Sequence, residues 1–235
     1  MSMISRRNAL LTTAAAALHA QPAPPRKSRA DSFFGIHFDL HPKPSDKELG
    51  KDLSEANIQR FLTEVQPDYV QYDCKGHVGW LGYPSTVSKS APGIVKDSLA
   101  LWRDLTEKQG VALYIHFSGV WDSLAITDHP EWARLKPDGS KDDRQTSLWS
   151  RYAEDRMIPQ LLEASAKYRL DGAWVDGECW ITSPDYAQPA IEAWRKLGLG
   201  MDAPRKPEDP HWDVWLEFNR QRFRQYVRNL HCSDQ

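Results

Sequence analysis

The segment DGAWVDGECW at residues 171–180 places two carboxylates and two tryptophans around the end of a predicted strand. Trp174 favours an extended backbone, and Gly177 lets the chain turn sharply behind Asp176. The pair Asp176 and Glu178, beside aromatic rings, is typical of acid/base or nucleophilic chemistry on a sugar. The alternative is that Asp176 caps the following turn and Glu178 is solvated. We favour the chemical role because the other predicted strands end in similar residues.

Polar and titratable side chains follow the other three predicted strands as well: His37, Asp39 and His41; Gln71, Asp73, Cys74, Lys75 and His77; and His116, Ser118, Trp121 and Asp122. Residues two apart on a strand share a face, so His37, Asp39 and His41 have one parity, as do Trp174, Asp176 and Glu178 if the strand continues that far. A single strand histidine is usually a hydrogen-bonded core residue. Four strands that all end in such groups predict one shared site, because burying them without a function costs stability.

Strand and helix patterns alternate along the chain and would position this site. Apolar runs predict strands at residues 33–39, 68–73, 111–117 and 171–176. Helical spacing predicts helices after the N-cap Ser54 and over about 96–109, 150–168, 190–197 and 212–230. Pro159 predicts a kink or a later start in the third helix. The tryptophan-rich segment 118–149 is predicted to be a long functional loop rather than a disordered one.

Four successive βα units with right-handed crossovers predict an α/β fold with a parallel sheet. Two architectures fit: an open four-stranded sheet with helices on both faces, or the first half of a (β/α)₈ TIM barrel, which typically needs about 250 residues. Roughly 205 residues follow residue 30, and they hold four clear strands. We therefore predict a TIM-barrel type of fold at residues 31–235, with only the first four βα units present. Such a half-barrel would leave strand edges unpaired.

The net charge and the tryptophan content of the chain indicate which classes of molecule it binds. The formal net charge is −2, from 30 Lys and Arg against 32 Asp and Glu, which gives no electrostatic basis for binding nucleic acid or anionic membranes. The chain contains 10 tryptophans, a number that core packing or stacking on sugar rings would explain. We predict an oligosaccharide or glycoside as the partner.

The N-terminus resembles an export signal. Arg6 and Arg7 precede a short, weakly apolar run at residues 9–18, which is too short to span a bilayer, and Ala20 precedes a candidate cleavage point. Adjacent arginines favour the twin-arginine route, with an ordinary Sec signal or an uncleaved leader as alternatives. Residues 1–30 are thus predicted to be signal and linker. The mature protein is predicted to be periplasmic or secreted, without a membrane segment.

The chain has three cysteines, Cys74, Cys179 and Cys232, and no CxxC spacing, which argues against a zinc ribbon or a thioredoxin-like motif. Cys74 and Cys179 both fall at predicted strand ends. A disulfide between them would suit an exported protein, but the free thiol is the simpler interpretation.

Several segments resemble the α-L-fucosidase family of glycoside hydrolases over about residues 33–180. Residues 73–80 (DCKGHVGW) resemble the family's T-K-H-H-D-G-F segment after strand 2, and residues 171–177 are similar to its W-x-D-G strand 4. Residues 101–118 look like its second helix and third strand, and residues 34–37 resemble part of its opening motif. Gly76 stands in place of the first histidine of the pair, and Phe38-Asp39 replaces a Trp-Gly, so the sugar preference stays open.

The resemblance implies a retaining glycosidase in which Asp176 is the nucleophile. Glu178 would be the second carboxyl group, as acid/base or as a ligand of a sugar hydroxyl. We expect the remaining site residues to bind hydroxyls (His37, His77, His116), to stack on the ring (Trp80, Trp121, Trp180) or to tune the charge (Asp39, Asp73, Lys75). This mechanism uses no cofactor and no metal.

Two alternatives compete with the glycosidase. The first is a metal-dependent hydrolase on a barrel, because His37, Asp39, His41, His77, His116 and Asp176 offer ligands suited to zinc or manganese. The second is a non-catalytic or truncated carbohydrate-binding remnant, because the family's general acid lies in a later segment.

Overall fold

A computed structural model describes residues 24–177, 183–199 and 202–232, without the side chains of residues 231 and 232. The predicted signal at residues 1–20, together with Glu178, Cys179 and Trp180, lies outside the described residues.

The described elements alternate along the chain, much as the apolar pattern predicts. Their order is β1 (Gly35–Phe38), α1 (Glu55–Val65), β2 (Tyr69–Lys75), α2 (Ser98–Lys108), β3 (Ala112–Ser118), α3 (Ser123–Asp128), β4 (Ala133–Leu135), β5 (Lys141–Thr146), α4 (Ile158–Tyr168), β6 (Gly172–Asp176), α5 (Gln188–Arg195) and α6 (Trp212–Cys232). A short 3₁₀ turn at Pro130–Trp132 and a π-helical segment at Ala153–Met157 complete the series.

Four parallel strands form the main sheet in the order β1-β2-β3-β6. The prediction of an α/β fold with a parallel sheet is therefore confirmed. Within the described residues the sheet is open, with β1 at one edge and β6 at the other. Closure into a barrel is not seen in this part of the chain.

The helices begin where local chemistry favours it. The Ser54 hydroxyl accepts a hydrogen bond from the Asn57 amide at 3.2 Å and caps α1, as its sequence predicts. Asp97 caps α2 in the same way, through the Ala100 amide at 3.1 Å. Pro159 lies in the first turn of α4, directly after the π-helical segment, where its missing amide proton costs little. The irregular start predicted from Pro159 is thus present.

The two faces of the sheet differ in chemistry. Val70, Leu113, Ile115 and Phe117 point to one face, where they are fully buried and form the main core with the helices. The other face carries polar and titratable side chains near the carboxyl ends of the strands, among them His37, Gln71, Asp73, His116 and Asp176. Such groups at strand ends favour a site at this edge.

The segment 118–149, which we expected to be a loop, contains regular structure. It forms α3, the 3₁₀ turn and an antiparallel hairpin of β4 and β5. The hairpin contacts a second, smaller core made of Tyr186, Trp194 and Trp215 with residues packed around them. Trp102, Trp132, Trp194 and Trp215 are all buried, so core packing accounts for much of the tryptophan content.

Two smaller observations bear on the predictions. Cys74 is a free, buried thiol, and burial raises its pKa well above the usual range. None of the described helices has both the length and the apolar character needed to cross a bilayer.

Candidate active site

Strand register brings the predicted residues together. His116 on β3 is paired with Asp73 on β2 and with Trp174 on β6, and Ser118 is paired with Asp176. Because paired residues in adjacent parallel strands share a face, these side chains meet on the polar face of the sheet.

His116 lies at the centre of this group and is only 1% exposed. Its Nδ1 is 3.3 Å from Oδ1 of Asp73, and its Nε2 is 3.3 Å from Oδ2 of Asp176. Burial lowers the pKa of His116, but the carboxylates of Asp73 and Asp176 outweigh burial and place the pKa above its ordinary value. His116 is thus suited to hold positive charge between two carboxylates.

Asp176 is held in its ionised form. Burial alone would raise the pKa of Asp176. The Gly177 amide donates to Oδ1 at 2.6 Å, and the imidazolium of His116 lies nearby. These two groups lower the pKa by more than burial raises it, so the net shift is downward. A carboxylate that is ionised and fixed in orientation at a strand end can serve as a nucleophile.

His37 and His77 flank this centre as neutral imidazoles. Burial lowers the pKa of both, helped by His116 in the case of His37 and by His41 in the case of His77. Ser118 donates its hydroxyl proton to the Trp121 carbonyl at 2.8 Å, so Nδ1 of His77 must donate to Ser118 Oγ at 2.7 Å. Nε2 of His77 is left as an acceptor, a role that suits a sugar hydroxyl.

Aromatic rings line the same face. Trp121 contacts His77 edge-to-face with ring centroids 4.6 Å apart, and the Arg144 guanidinium lies 4.8 Å from the Trp121 ring. Trp174 is 45% exposed, and the centroid of its ring lies 5.0 Å from that of His116 and 5.5 Å from that of His37. Trp174 is not among the site residues predicted from the sequence, although its shared parity with Asp176 was the available signal.

Asp39 and His41 extend the group beyond the end of β1. His41 Nε2 lies 2.6 Å from Asp39 Oδ1, and Asp39 is in turn 3.9 Å from both His37 Nε2 and His116 Nδ1. The backbone amide of His41 donates to Asp73 Oδ2 at 2.5 Å. His41, which is not among the residues expected to bind the sugar, therefore lies in the same cluster as Asp39 and Asp73.

Lys75 does not join the other predicted residues. The register shifts by one residue between Asp73 and Lys75, so Lys75 pairs with Phe117 and turns to the apolar face of the sheet. There it is fully buried, with its ammonium group 3.0 Å from Asp122 Oδ2. The expectation that Lys75 tunes the charge of the pocket is corrected by this bulge.

Three predicted residues contribute less to the described geometry. Trp80 is half-buried in the segment after β2. Glu178 and Trp180 lie outside the described residues.

The fold of this chain is similar to part of an α-L-fucosidase. The α-L-fucosidase isoenzyme 2 from Paenibacillus thiaminolyticus matches with a TM-score of 0.70 and 20% sequence identity, over 86% of this chain and 30% of the fucosidase chain. A GH29 α-L-fucosidase from Bacteroides thetaiotaomicron matches with a TM-score of 0.43 and 23% identity, over 63% of this chain and 30% of its own. No family model and no curated protein matches the sequence. The chain therefore spans about 30% of the length of these fucosidases. The match to the Paenibacillus thiaminolyticus enzyme confirms the predicted resemblance at the level of the fold.

Proposed function

We propose that this chain carries the glycone-binding face and the nucleophile of a retaining glycoside hydrolase related to α-L-fucosidases. The observation that carries the proposal is the placement of Asp176 at the end of β6, where its carboxylate accepts a hydrogen bond from the Gly177 amide at 2.6 Å and lies 3.3 Å from His116 Nε2. The fold shared with a fucosidase supports it. The sheet would be the first four strands of a (β/α)₈ barrel, in an exported enzyme.

The proposed reaction has two displacements. Asp176 attacks the anomeric carbon, the bond from that carbon to the leaving oxygen breaks, and the leaving oxygen takes a proton from a general acid. Water then attacks the same carbon, gives its proton to the conjugate base and releases Asp176. Glu178 is the candidate acid/base nearest in sequence, and Trp121 and Trp174 offer apolar ring faces to the sugar.

The neutral histidines suit substrate recognition. Nε2 of His77 would accept a proton from one sugar hydroxyl, while His37, whose Nδ1 lies 2.9 Å from the Gln71 amide nitrogen, would donate from Nε2. Groups that are already oriented lose little entropy when a sugar binds. We propose an α-L-fucoside as the first substrate to test, because fucosidase is the activity named for the similar structure.

The experiment is a turnover screen of the purified chain against aryl glycosides, beginning with the α-L-fucoside. Asp176→Asn should reduce turnover about 10³-fold or more, as expected when a nucleophile is removed. Asp104→Asn is the matched control, since Asp104 is an exposed carboxylate on α2. The proposal is wrong if Asp176→Asn keeps full activity.

A second variant separates a nucleophile from a structural carboxylate. Asp176→Gly with added azide should form a glycosyl azide of inverted anomeric configuration, because the small anion takes the vacated position. Binding of fucose by folded wild-type protein without any turnover would instead support the alternative of a non-catalytic carbohydrate-binding remnant.

A further inference from the structure

Four side chains beside the proposed nucleophile form a constellation that sugar chemistry does not require. Asp39, His41, Asp73 and His116 each offer one ligand atom, and these atoms all lie within 4.8 Å of one another. The set contains two imidazole nitrogens and two carboxylate oxygens, on the ends of three adjacent strands.

The separations fit a small tetrahedral site. Zinc binds nitrogen and oxygen at about 2.0–2.2 Å, so neighbouring ligand atoms around it lie roughly 3.3–3.5 Å apart. His116 Nδ1 is 3.3 Å from Asp73 Oδ1 and 3.9 Å from Asp39 Oδ1. The contact of 2.6 Å between His41 and Asp39 is closer, and Asp39, with 61% of its side chain exposed, has room to move.

Buried polar atoms in this group lack hydrogen-bond partners. In the part of the chain that the structure describes, Asp73 Oδ1, His116 Nδ1 and His41 Nε2 are buried and make no contact with hydrogen-bond geometry. Asp73 and His116 are each 1% exposed. Their close contacts are with one another and with Asp39: His116 Nδ1 is 3.3 Å from Asp73 Oδ1, and His41 Nε2 is 2.6 Å from Asp39 Oδ1. A bound cation would give these buried atoms a common partner.

The surrounding bonds orient these atoms as a metal site would need. The His41 amide holds Asp73 through Oδ2 at 2.5 Å and leaves Oδ1 available. His116 contacts Asp176 through Nε2 at 3.3 Å and faces Asp73 through Nδ1. A cation would take the place of the Nδ1 proton of the imidazolium, while Nε2 would still donate to Asp176. A ligating histidine almost always donates its other ring nitrogen to a carboxylate or carbonyl.

We propose that Asp39, His41, Asp73 and His116 bind one divalent cation of the zinc class. Two imidazoles and two carboxylates suit zinc better than magnesium or calcium, which prefer oxygen ligands alone. The proposal differs from the expectation of a site without metal, and it shares Asp39, His41 and His116 with the metal-ligand alternative considered from the sequence. The cation fixes the ends of β1, β2 and β3 relative to one another and, through His116, positions Asp176.

The test is metal binding by the tag-free full chain after treatment with EDTA. Isothermal titration with ZnCl₂ at neutral pH should give one site per chain, and magnesium or calcium should bind far more weakly. Co²⁺ in place of Zn²⁺ should give the visible absorption of a tetrahedral site. These readouts do not depend on glycosidase activity, so the proposal can fail while the proposed function holds.

Variants identify the ligands. His41→Ala and Asp39→Asn, both at partly or largely exposed side chains after β1, should each weaken zinc binding about 100-fold or more. The matched control is His129→Ala, because His129 also contacts a carboxylate, Glu131, at 3.1 Å on the surface. No zinc binding by wild-type protein, or unchanged binding by folded His41→Ala protein, would overturn the proposal.

Discussion

Lys75 carries a charge in a place that solvent does not reach. Its ammonium group is 2.8 Å from the Tyr152 hydroxyl, 3.0 Å from Asp122 and 3.4 Å from the Gln160 side-chain oxygen. It also lies 4.6 Å from the centre of the Phe117 ring. A charge so placed is tolerated only with its partners, since removing one member of a buried pair leaves the other uncompensated.

We expect Lys75→Met to reduce the free energy of unfolding by about 3–5 kcal/mol, because Asp122 would stay buried without its cation. Urea denaturation followed by tryptophan fluorescence measures this change. Lys89→Met is the control, since Lys89 pairs with Asp128 at the surface and its loss should cost about 1 kcal/mol or less. If the two substitutions reduced the free energy of unfolding equally, the Lys75–Asp122 pair would contribute no more to stability than a surface ion pair.

The elements differ in how well the sequence predicts them. The four parallel strands and the long helices follow from apolar runs and from caps such as Ser54, whose effects are local. The hairpin of β4 and β5 does not follow from such patterns, because β5 (KDDRQT) has no alternation of apolar and polar residues. It is held instead by contacts such as the hydrogen bond from the Thr146 amide to the Val120 carbonyl. The bulge after Asp73 adds one residue without any sign in the pattern, and so it misplaced Lys75. The site was predictable where strand parity holds and was lost where it breaks.

Asp185 connects the hairpin to the last two helices. It is buried and accepts hydrogen bonds from the Leu135 amide at 3.2 Å, the Ala187 amide at 2.9 Å and the Ser147 hydroxyl. Its own amide donates to Asn219 on α6 at 3.1 Å. Burial raises the pKa of Asp185 above its usual range despite these donors.

A raised pKa means that the folded protein binds the Asp185 proton more tightly than the unfolded chain does. The stability from this group is therefore complete below the unfolded pKa and is lost as pH rises through the folded pKa. We expect the unfolding free energy of wild type minus that of Asp185→Asn to fall as the pH rises above about 4, the pKa of an unfolded Asp. Urea denaturation at a series of pH values measures it.

Asp138→Asn is the control for this pH dependence. The exposed Asp138 is bonded by the Ser140 hydroxyl and amide, which lower its pKa. Its contribution is present above the unfolded pKa and is lost as pH falls, so the corresponding difference should change in the opposite direction. If the difference in unfolding free energy changed in the same direction with pH for both variants, burial would not be the cause of the pH dependence at Asp185.

The main sheet is open within the described residues and has one polar face. β2 and β3 have a strand neighbour on both sides, whereas β1 and β6 each have one within the described residues. Unpaired strand edges expose amides that exchange with solvent and that other strands can pair with. The proposed nucleophile and one end of the proposed cation site lie on these edge strands or directly after them.

We expect hydrogen exchange to follow this arrangement. Amides of β2 and β3 should exchange only through global unfolding, while the outward amides of β1 and β6 should exchange faster, because no strand covers them. Residue-resolved exchange measured by NMR at low protein concentration checks the prediction. A concentration series is the control: protection of β1 and β6 that rises with concentration would show that the edges pair with another copy. Protection equal to that of β2 and β3 at every concentration would contradict the open sheet, because closed edges can exchange only when the whole sheet opens.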